Sequence, residues 1–177
     1  TDKTGTLTEN QMQARRLASP AAGTETPGEG EEISEAGRRI LRIGVLCNRA
    51  EKEDGSETTG DPMEIALLAA GADHGLERSR ELEKLPLERT ERFDPEVMMM
   101  ATFHRGTRDR FYVAVKGAPS AVIDRCPHLW SNGETRDFDT KAKQEWKAKT
   151  DRLASEGLRL LAFADRETPD IDADPYT

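Results

Sequence analysis

Two neighbouring stretches, VMMMATFH at positions 97–104 and RFYVAV at positions 110–115, decide the fold that this sequence predicts. Both are apolar and partly β-branched, which favours extended strands. The segment RGTRD at positions 105–109 separates them, and its length suits the loop of an antiparallel hairpin. The centre of the chain therefore predicts an antiparallel sheet.

Helix signals flank this hairpin. Ser34 can cap a helix whose apolar residues recur at helical spacing until about Asn48. Asp61 as a cap, Pro62 at the first helical position and Glu64 at the third predict the start of another helix. Further helices are predicted at positions 119–125 and 139–155, the latter charged and amphipathic, with Trp146 and Leu153 facing inward and Gly157 at its C-terminal cap.

The remaining segments predict strands, a turn and a loop. Positions 11–18 are interpreted as a short edge strand, and positions 19–32, rich in Pro and Gly, as a mobile loop. Positions 130–134 predict a turn, and LRLLAFAD at positions 158–165 predicts a largely buried strand. The predicted fold class is therefore α+β (mixed α/β), with a central, largely antiparallel sheet flanked by helices.

Composition limits the core and the kinds of partner. The 177 residues suffice for one soluble domain, and 34% charged, 35% hydrophobic and 5% aromatic residues predict a modest core. The longest apolar run, positions 65–70, is too short to span a membrane, and no secretory signal is visible. The net charge of −8 disfavours nucleic acid and anionic lipid, although a few placed cations could still hold a nucleotide.

The cysteines and histidines indicate no metal chemistry. Cys47 and Cys126 stand far apart without CxxC spacing, which argues against a disulfide scaffold or a zinc site. His74, His104 and His128 are isolated from any cluster of ligands. We therefore expect a chain exposed to a reducing, cytosolic compartment.

The first ten residues carry the most specific motif. TDKTGTLTEN, positions 1–10, resembles the phosphorylation signature of P-type ATPases. A carboxylate can attack a terminal phosphoryl group and form an acyl phosphate, while a neighbouring Lys and a metal ion offset the charge of the oxygens. The resemblance implies Asp2 as nucleophile, with Lys3, Thr4 and Thr6 as further catalytic residues and Asp2 and Thr4 as ligands of Mg²⁺.

Thr4 separates two classes of enzyme. Related haloacid-dehalogenase-type phosphatases carry a second Asp at this position, where it acts as acid and base. Without that carboxylate the acyl phosphate should live longer, which an ion pump needs and a phosphatase does not. Three interpretations stay open: a pump domain, a phosphatase fragment, and a degenerate domain with weak or no nucleotide binding.

Two further segments resemble nucleotide-site motifs of type II cation pumps. In KGAP, positions 116–119, Lys116 would place a cation at the cleft floor and Gly117 would allow backbone to approach the ligand, although a strand-end lysine before a turn is the ordinary alternative. In GDPME, positions 60–64, Glu64 would accept a hydrogen bond from the adenine amino group. Its alternative role is to close a capping box.

The segment FDPE at positions 93–96 resembles the family's FDxxRK motif. Phe93 would stack on adenine, and the alternative is an ordinary core ring. Val97 and Met98 stand where Arg and Lys are common, so either affinity is weak or Arg89 and Arg92 substitute.

The segment GLRLLA at positions 157–162 resembles a motif whose Arg reaches the nucleotide phosphates. Arg159 would need an anionic partner in an apolar strand, either a bound phosphate or an internal carboxylate. Nothing in the sequence identifies the transported ion.

The resemblance covers essentially the whole chain and divides it into three parts. Positions 1–10 would be a remnant of the phosphorylation domain and hinge, positions 11–168 the nucleotide-binding domain, and positions 169–177 the return hinge. It implies ATP and Mg²⁺ as cofactors, and the phosphorylation and actuator domains of the same pump as partners. We expect a monomeric cytoplasmic domain of an integral membrane protein, itself not inserted in the membrane, that binds ATP without phosphorylating itself.

Overall fold

The computed structural model describes residues 12–28, 30–51 and 58–177, so the predictions at Asp2, Lys3, Thr4 and Thr6 lie outside the described residues. Its helices are α1 (Glu35–Leu46), α2 (Pro62–Asp73), α3 (Arg78–Lys84), α4 (Pro119–Arg125) and α5 (Thr140–Ser155). Its strands are β1 (Leu17–Ser19), β2 (Gly23–Glu25), β3 (Leu87–Asp94), β4 (Met99–Arg105), β5 (Phe111–Gly117), β6 (His128–Ser131), β7 (Glu134–Asp137) and β8 (Ala162–Thr168).

The central sheet has the strand order β3-β4-β5-β8, and every neighbouring pair is antiparallel. The hairpin predicted from the two apolar runs is confirmed, with Met99 opposite Gly117 and Arg105 opposite Phe111. These two strands lie in the middle of the sheet, which explains their nearly continuous burial. The predicted α+β class is therefore confirmed.

Helices cover both faces of this sheet. Alternate residues of a strand face opposite sides, so Met100 and Ala114 pack against α1 on one face. Met99, Val113 and Val115 pack against α4 on the other face. α2 lies beside α1, and α5 lies beside α4.

The helix ends follow the predicted capping residues. Ser34 Oγ accepts a hydrogen bond from the Gly37 N–H at 3.0 Å, and α1 ends at Leu46, two residues before the predicted end. Asp61 likewise caps α2 as predicted, and Asp139, expected as the first residue of the last helix, instead caps α5 with its carboxylate. Trp146 and Leu153 are half-buried, so α5 presents the predicted face without a fully buried residue.

Several predicted segments were wrong. The proposed loop at positions 19–32 contains β2, which pairs with β1, and β1 covers only the end of the edge strand predicted at positions 11–18. The strand predicted at positions 158–165 begins at Ala162 and continues to Thr168. The highly charged β3 and the short α3 were not predicted, because neither shows an apolar period of its own.

The C-terminal segment packs along the sheet. Arg89 donates to the carbonyl oxygens of Ile171 and Ala173 at 2.7 and 3.1 Å, and the Tyr176 hydroxyl lies 3.4 Å from the Met99 carbonyl oxygen. The hinge at positions 169–177 stays a prediction. Within the three described ranges, no helix is long and apolar enough to cross a membrane.

Candidate nucleotide-binding site

Lys116 and Glu64 form a largely buried ion pair. Lys116 Nζ lies 2.6 Å from Glu64 Oε1, and the two side chains are 8% and 14% exposed. Lys116 comes from the end of β5 on the face that packs against α1, and Glu64 comes from the first turn of α2. At this burial each charge needs its partner, because an uncompensated ion in the interior costs several kcal/mol.

The Glu64 carboxylate turns toward the sheet. A capping box would require a hydrogen bond from the Asp61 N–H to this carboxylate, and none occurs among the described residues. The Asp61 carboxylate alone caps α2, through the Met63 N–H at 2.8 Å. The geometry therefore favours the site interpretation of Glu64 over the capping-box alternative.

The sheet brings the other candidate segments to the same end. Asp94, Met99, Gly117 and Ala162 lie side by side across the four strands. Phe93 therefore lies two strands from Lys116, roughly 10 Å away at the normal strand spacing. Arg159 lies three residues before Ala162, in the segment that leads into β8. Among the described contacts of these candidates, only Glu64 and Lys116 touch each other.

Phe93 is available to a ligand. Its side chain is 56% exposed, the largest value among the exposed large hydrophobic residues of the described chain. The alternative of an ordinary core ring is therefore wrong. A flat apolar ring held at a strand end can stack on a purine.

Gly117 serves the packing of the chain itself. A Cβ at this position would collide with the Met98 carbonyl oxygen and would lie 2.5 Å from Met99 Cγ and 2.9 Å from Met99 Cα. Met98 adopts a left-handed φ of 55°, and its carbonyl oxygen accepts a hydrogen bond from the Ala118 N–H at 3.0 Å. The close packing at Gly117 thus joins the β3–β4 turn to KGAP, and the predicted approach of the Gly117 backbone to a ligand stays a prediction.

Of the two proposed substitute cations, Arg89 is already engaged. Besides holding the C-terminal segment, it pairs with Glu91, and its guanidinium lies 4.6 Å from the centre of the Phe103 ring on the face away from Lys116. Arg92 is exposed beside Phe93. Met98 is 42% exposed and carries no charge.

Arg159 is exposed and precedes β8 rather than lying inside a buried strand. The argument that burial forces an anionic partner on it therefore does not apply. Its solvent-facing position still allows contact with a phosphate chain.

Burial controls the protonation of two groups, the Cys47 thiol near Lys116 and the His104 ring at the other end of β4. Burial raises the pKa of the Cys47 thiol to about 12, with the nearby Lys116 charge opposing this shift, so the thiol stays neutral. Burial lowers the pKa of His104 to about 4, so its ring is neutral near pH 7. No group of His, Cys, Asp or Glu suited to a metal ion was found within the described ranges.

Sequence reasoning missed the groups that hold Glu64 from behind. Asn48 is 1% exposed and donates to the Glu64 carbonyl oxygen at 3.0 Å. Arg78 Nη2 donates to the Asn48 carbonyl oxygen at 2.8 Å. The only sequence signal was an Asn just after the apolar stripe of α1, which suggested a helix end and no more.

The fold defines an α+β domain in which the segments FDPE, KGAP and GDPME, which resemble P-type ATPase motifs, lie at one end of the sheet. The chain belongs to the P-type ATPase family: the family described as "P-type ATPase, cytoplasmic domain N" matches residues 37–176. This match covers the central sheet, α1 from its third residue onward, all of α2 to α5 and the C-terminal segment as far as Tyr176.

The chain is also similar in sequence to known cation-transporting ATPases. The chain is 30% identical to a calcium-transporting ATPase of Listeria monocytogenes and 34% identical to a calcium-transporting ATPase of Bacillus cereus, over 96% and 98% of its length. It is 28% identical to the sodium/potassium-transporting ATPase alpha subunit of Drosophila melanogaster over 95% of its length. The matched regions are 19%, 19% and 18% of those proteins, so the chain spans about a fifth of the curated relatives it matches.

Proposed function

We propose that this chain is the ATP-binding cytoplasmic domain of a cation-transporting P-type ATPase and that it presents the γ-phosphate of ATP to Asp2. The single observation that carries the proposal is the Glu64–Lys116 pair, held at the end of the sheet where Phe93 is exposed. Family membership supports the same assignment.

Each residue has a defined role in recognition. Phe93 stacks on the adenine ring, since both surfaces are flat and apolar on their faces. Glu64 accepts a hydrogen bond from the adenine amino group, a donor that guanine replaces with a carbonyl oxygen. Lys116 pairs with the Glu64 carboxylate in its buried position and places a cation at the edge of the site. Arg159 contacts the phosphates from the segment before β8.

The reaction proposed for the whole pump is phosphoryl transfer to a carboxylate. An oxygen of Asp2 forms a bond to the γ-phosphorus while the bond from that phosphorus to the β–γ bridging oxygen breaks, so ADP leaves and an aspartyl phosphate remains. Lys3, Thr4 and Thr6 are the further catalytic residues of this proposal, and Asp2 and Thr4 are the proposed ligands of Mg²⁺. When bound, the metal offsets the negative charge of the phosphates. Ion transport driven by this intermediate, and contact with phosphorylation and actuator domains, belong to the same proposal.

A degenerate domain with weak nucleotide binding is the second candidate. Met98 is exposed where the family commonly has a cation, Arg89 is committed to Glu91 and the C-terminal segment, and Lys116 is neutralised by Glu64. Titration of the chain with ATP separates the two candidates. Saturable binding that prefers ATP to GTP supports the proposal, and its absence at millimolar ligand supports the degenerate domain.

A further inference from the structure

The side chain of Asn48 is buried, and every N–H group it carries is engaged. Its Nδ2 donates to the carbonyl oxygens of Gly44 at 3.2 Å and Glu64 at 3.0 Å, and its Oδ1 accepts from the Ala50 N–H at 2.9 Å. Carbonyl oxygens only accept and a backbone N–H only donates, so these partners fix the orientation of the amide. Asn48 therefore ties the last turn of α1 directly to the first turn of α2.

The surrounding backbone makes this connection rigid. Glu51 and Thr59 exchange two backbone hydrogen bonds of 3.0 and 2.9 Å just before α2. Gly60 passes so close to Ala50 that a Cβ would lie 2.8 Å from the Ala50 Cβ and 2.9 Å from its Cα. Little room is left for the first turn of α2 to shift independently of Asn48.

We propose that Asn48 is a positioning residue that sets the base selectivity of the site by fixing Glu64. This inference rests on the proposed function, in which Glu64 reads the adenine amino group. Asn48 bonds the backbone of the residue whose carboxylate reaches Lys116, so loss of its two N–H groups shifts Glu64 relative to the sheet. Selectivity for a base depends on such placement, because a small displacement weakens a directional hydrogen bond steeply.

The variant Asn48→Asp tests this proposal with almost no change in volume. It replaces the two donors by an oxygen that faces the Gly44 and Glu64 carbonyl oxygens. We expect affinity for ATP to fall by about tenfold and the preference for ATP over GTP to fall toward one. Asn48→Ser, which keeps a small hydroxyl, serves as the second variant if Asn48→Asp does not fold.

A double-mutant cycle with Glu64→Ala distinguishes positioning from general destabilisation. If Asn48 acts through Glu64, Asn48→Asp changes the ATP affinity of a Glu64→Ala chain by less than about twofold. Thr102→Val is the matched control, because Thr102 is 1% exposed and its Oγ1 contacts the Leu46 carbonyl oxygen at the end of α1 and His104 Nε2 on β4, neither of which belongs to α2. This control should lower thermal stability and leave the ATP-to-GTP preference unchanged.

The outcomes separate the inference from the function beneath it. A wild-type chain that shows no preference for ATP over GTP overturns the proposed function and the inference with it. A selective wild-type chain whose folded Asn48 variants keep full selectivity overturns the inference alone. The inference alone is also overturned if Asn48→Asp lowers ATP affinity equally in the wild-type and Glu64→Ala chains.

Discussion

Lys116 Nζ and Glu64 Oε1 lie 2.6 Å apart, so the two residues expected to face the nucleotide face each other. In the proposed function, Glu64 Oε2 accepts a hydrogen bond from a purine amino group, and the remaining ammonium protons of Lys116 donate elsewhere. The pair thus supplies an acceptor beside a donor without leaving either charge buried alone. Its stability and its part in recognition can be tested separately.

The charges of this pair depend on each other. Replacing Lys116 by Met leaves the Glu64 carboxylate 14% exposed without its cation, so we expect the free energy of unfolding to fall by about 3 kcal/mol. Lys116→Met with Glu64→Gln should recover more than half of this loss, since no charge then stays buried. Urea unfolding of the two single variants and the double variant measures both effects. Strictly additive losses would show that the two side chains are independent.

The Phe93 ring should contribute to binding and little to stability. Because this side chain is 56% exposed, Phe93→Ala should change the free energy of unfolding by less than about 0.5 kcal/mol. Loss of a stacking ring should weaken ATP binding by about tenfold or more. Leu87→Ala, at the opposite end of β3 and 42% exposed, is the matched control and should leave binding unchanged. Equal affinity of Phe93→Ala and the control would remove Phe93 from the site.

A side chain at position 117 should disrupt the junction between the β3–β4 turn and KGAP. Gly117→Ala forces the Met98 carbonyl and Met99 to move, so we expect a loss of about 2 kcal/mol or more in unfolding free energy. Gly75→Ala is the comparison, because Gly75 has a φ of +73° but open space around it. It should cost only about 1 kcal/mol, from backbone strain. Thermal unfolding of both variants shows whether Gly117→Ala is the more destabilising. A Gly117→Ala chain as stable as wild type would contradict the packing described.

The buried His104 should make stability depend on pH. Its Nδ1 lies 3.0 Å from the Leu85 carbonyl oxygen, which can only accept, so this nitrogen carries the proton of the neutral ring. Burial lowers its pKa from 6.5 to about 4, so the unfolded chain binds a proton first as the pH falls. His104 makes its full contribution to the free energy of unfolding above pH 6.5. This free energy falls by about 3 kcal/mol as the pH decreases to about 4, because the unfolded chain is then protonated first.

His104→Gln tests this dependence against the background of other titrating groups. In urea unfolding between pH 7 and pH 4, the free energy of unfolding should fall less for the variant than for the wild-type chain. Parallel curves would mean that His104 does not titrate as its burial requires.

The sequence could predict those parts of the fold whose signals are local. Ser34 and Asp61 cap helices where predicted, since a capping side chain bonds N–H groups two or three residues away. The β4–β5 hairpin was predictable because both strands are buried on both faces. β3 escaped prediction because it lies at the sheet edge, where LERTERFD can stay charged, and because Arg89 is held there by backbone carbonyl oxygens distant in the chain.

The site was predictable in its residue types but not in its contacts. Glu64 and Lys116 were chosen separately, from two motifs 52 positions apart, and only the packing of α2 on the sheet end shows them to be partners. Asn48 and Arg78 carry no motif of their own, because their roles depend on backbone carbonyls that folding brings to them. The exposed position of Arg159 reflects the later start of β8, which periodicity alone does not determine.

Titration of the isotope-labelled chain with ATP, followed by NMR, tests the central claim most directly. The account predicts saturable shifts of the backbone amides of Glu64, Phe93, Lys116 and Gly117, and smaller shifts with GTP at the same concentration. Unchanged resonances for these four residues at millimolar ATP, in a chain that is otherwise folded, would contradict it.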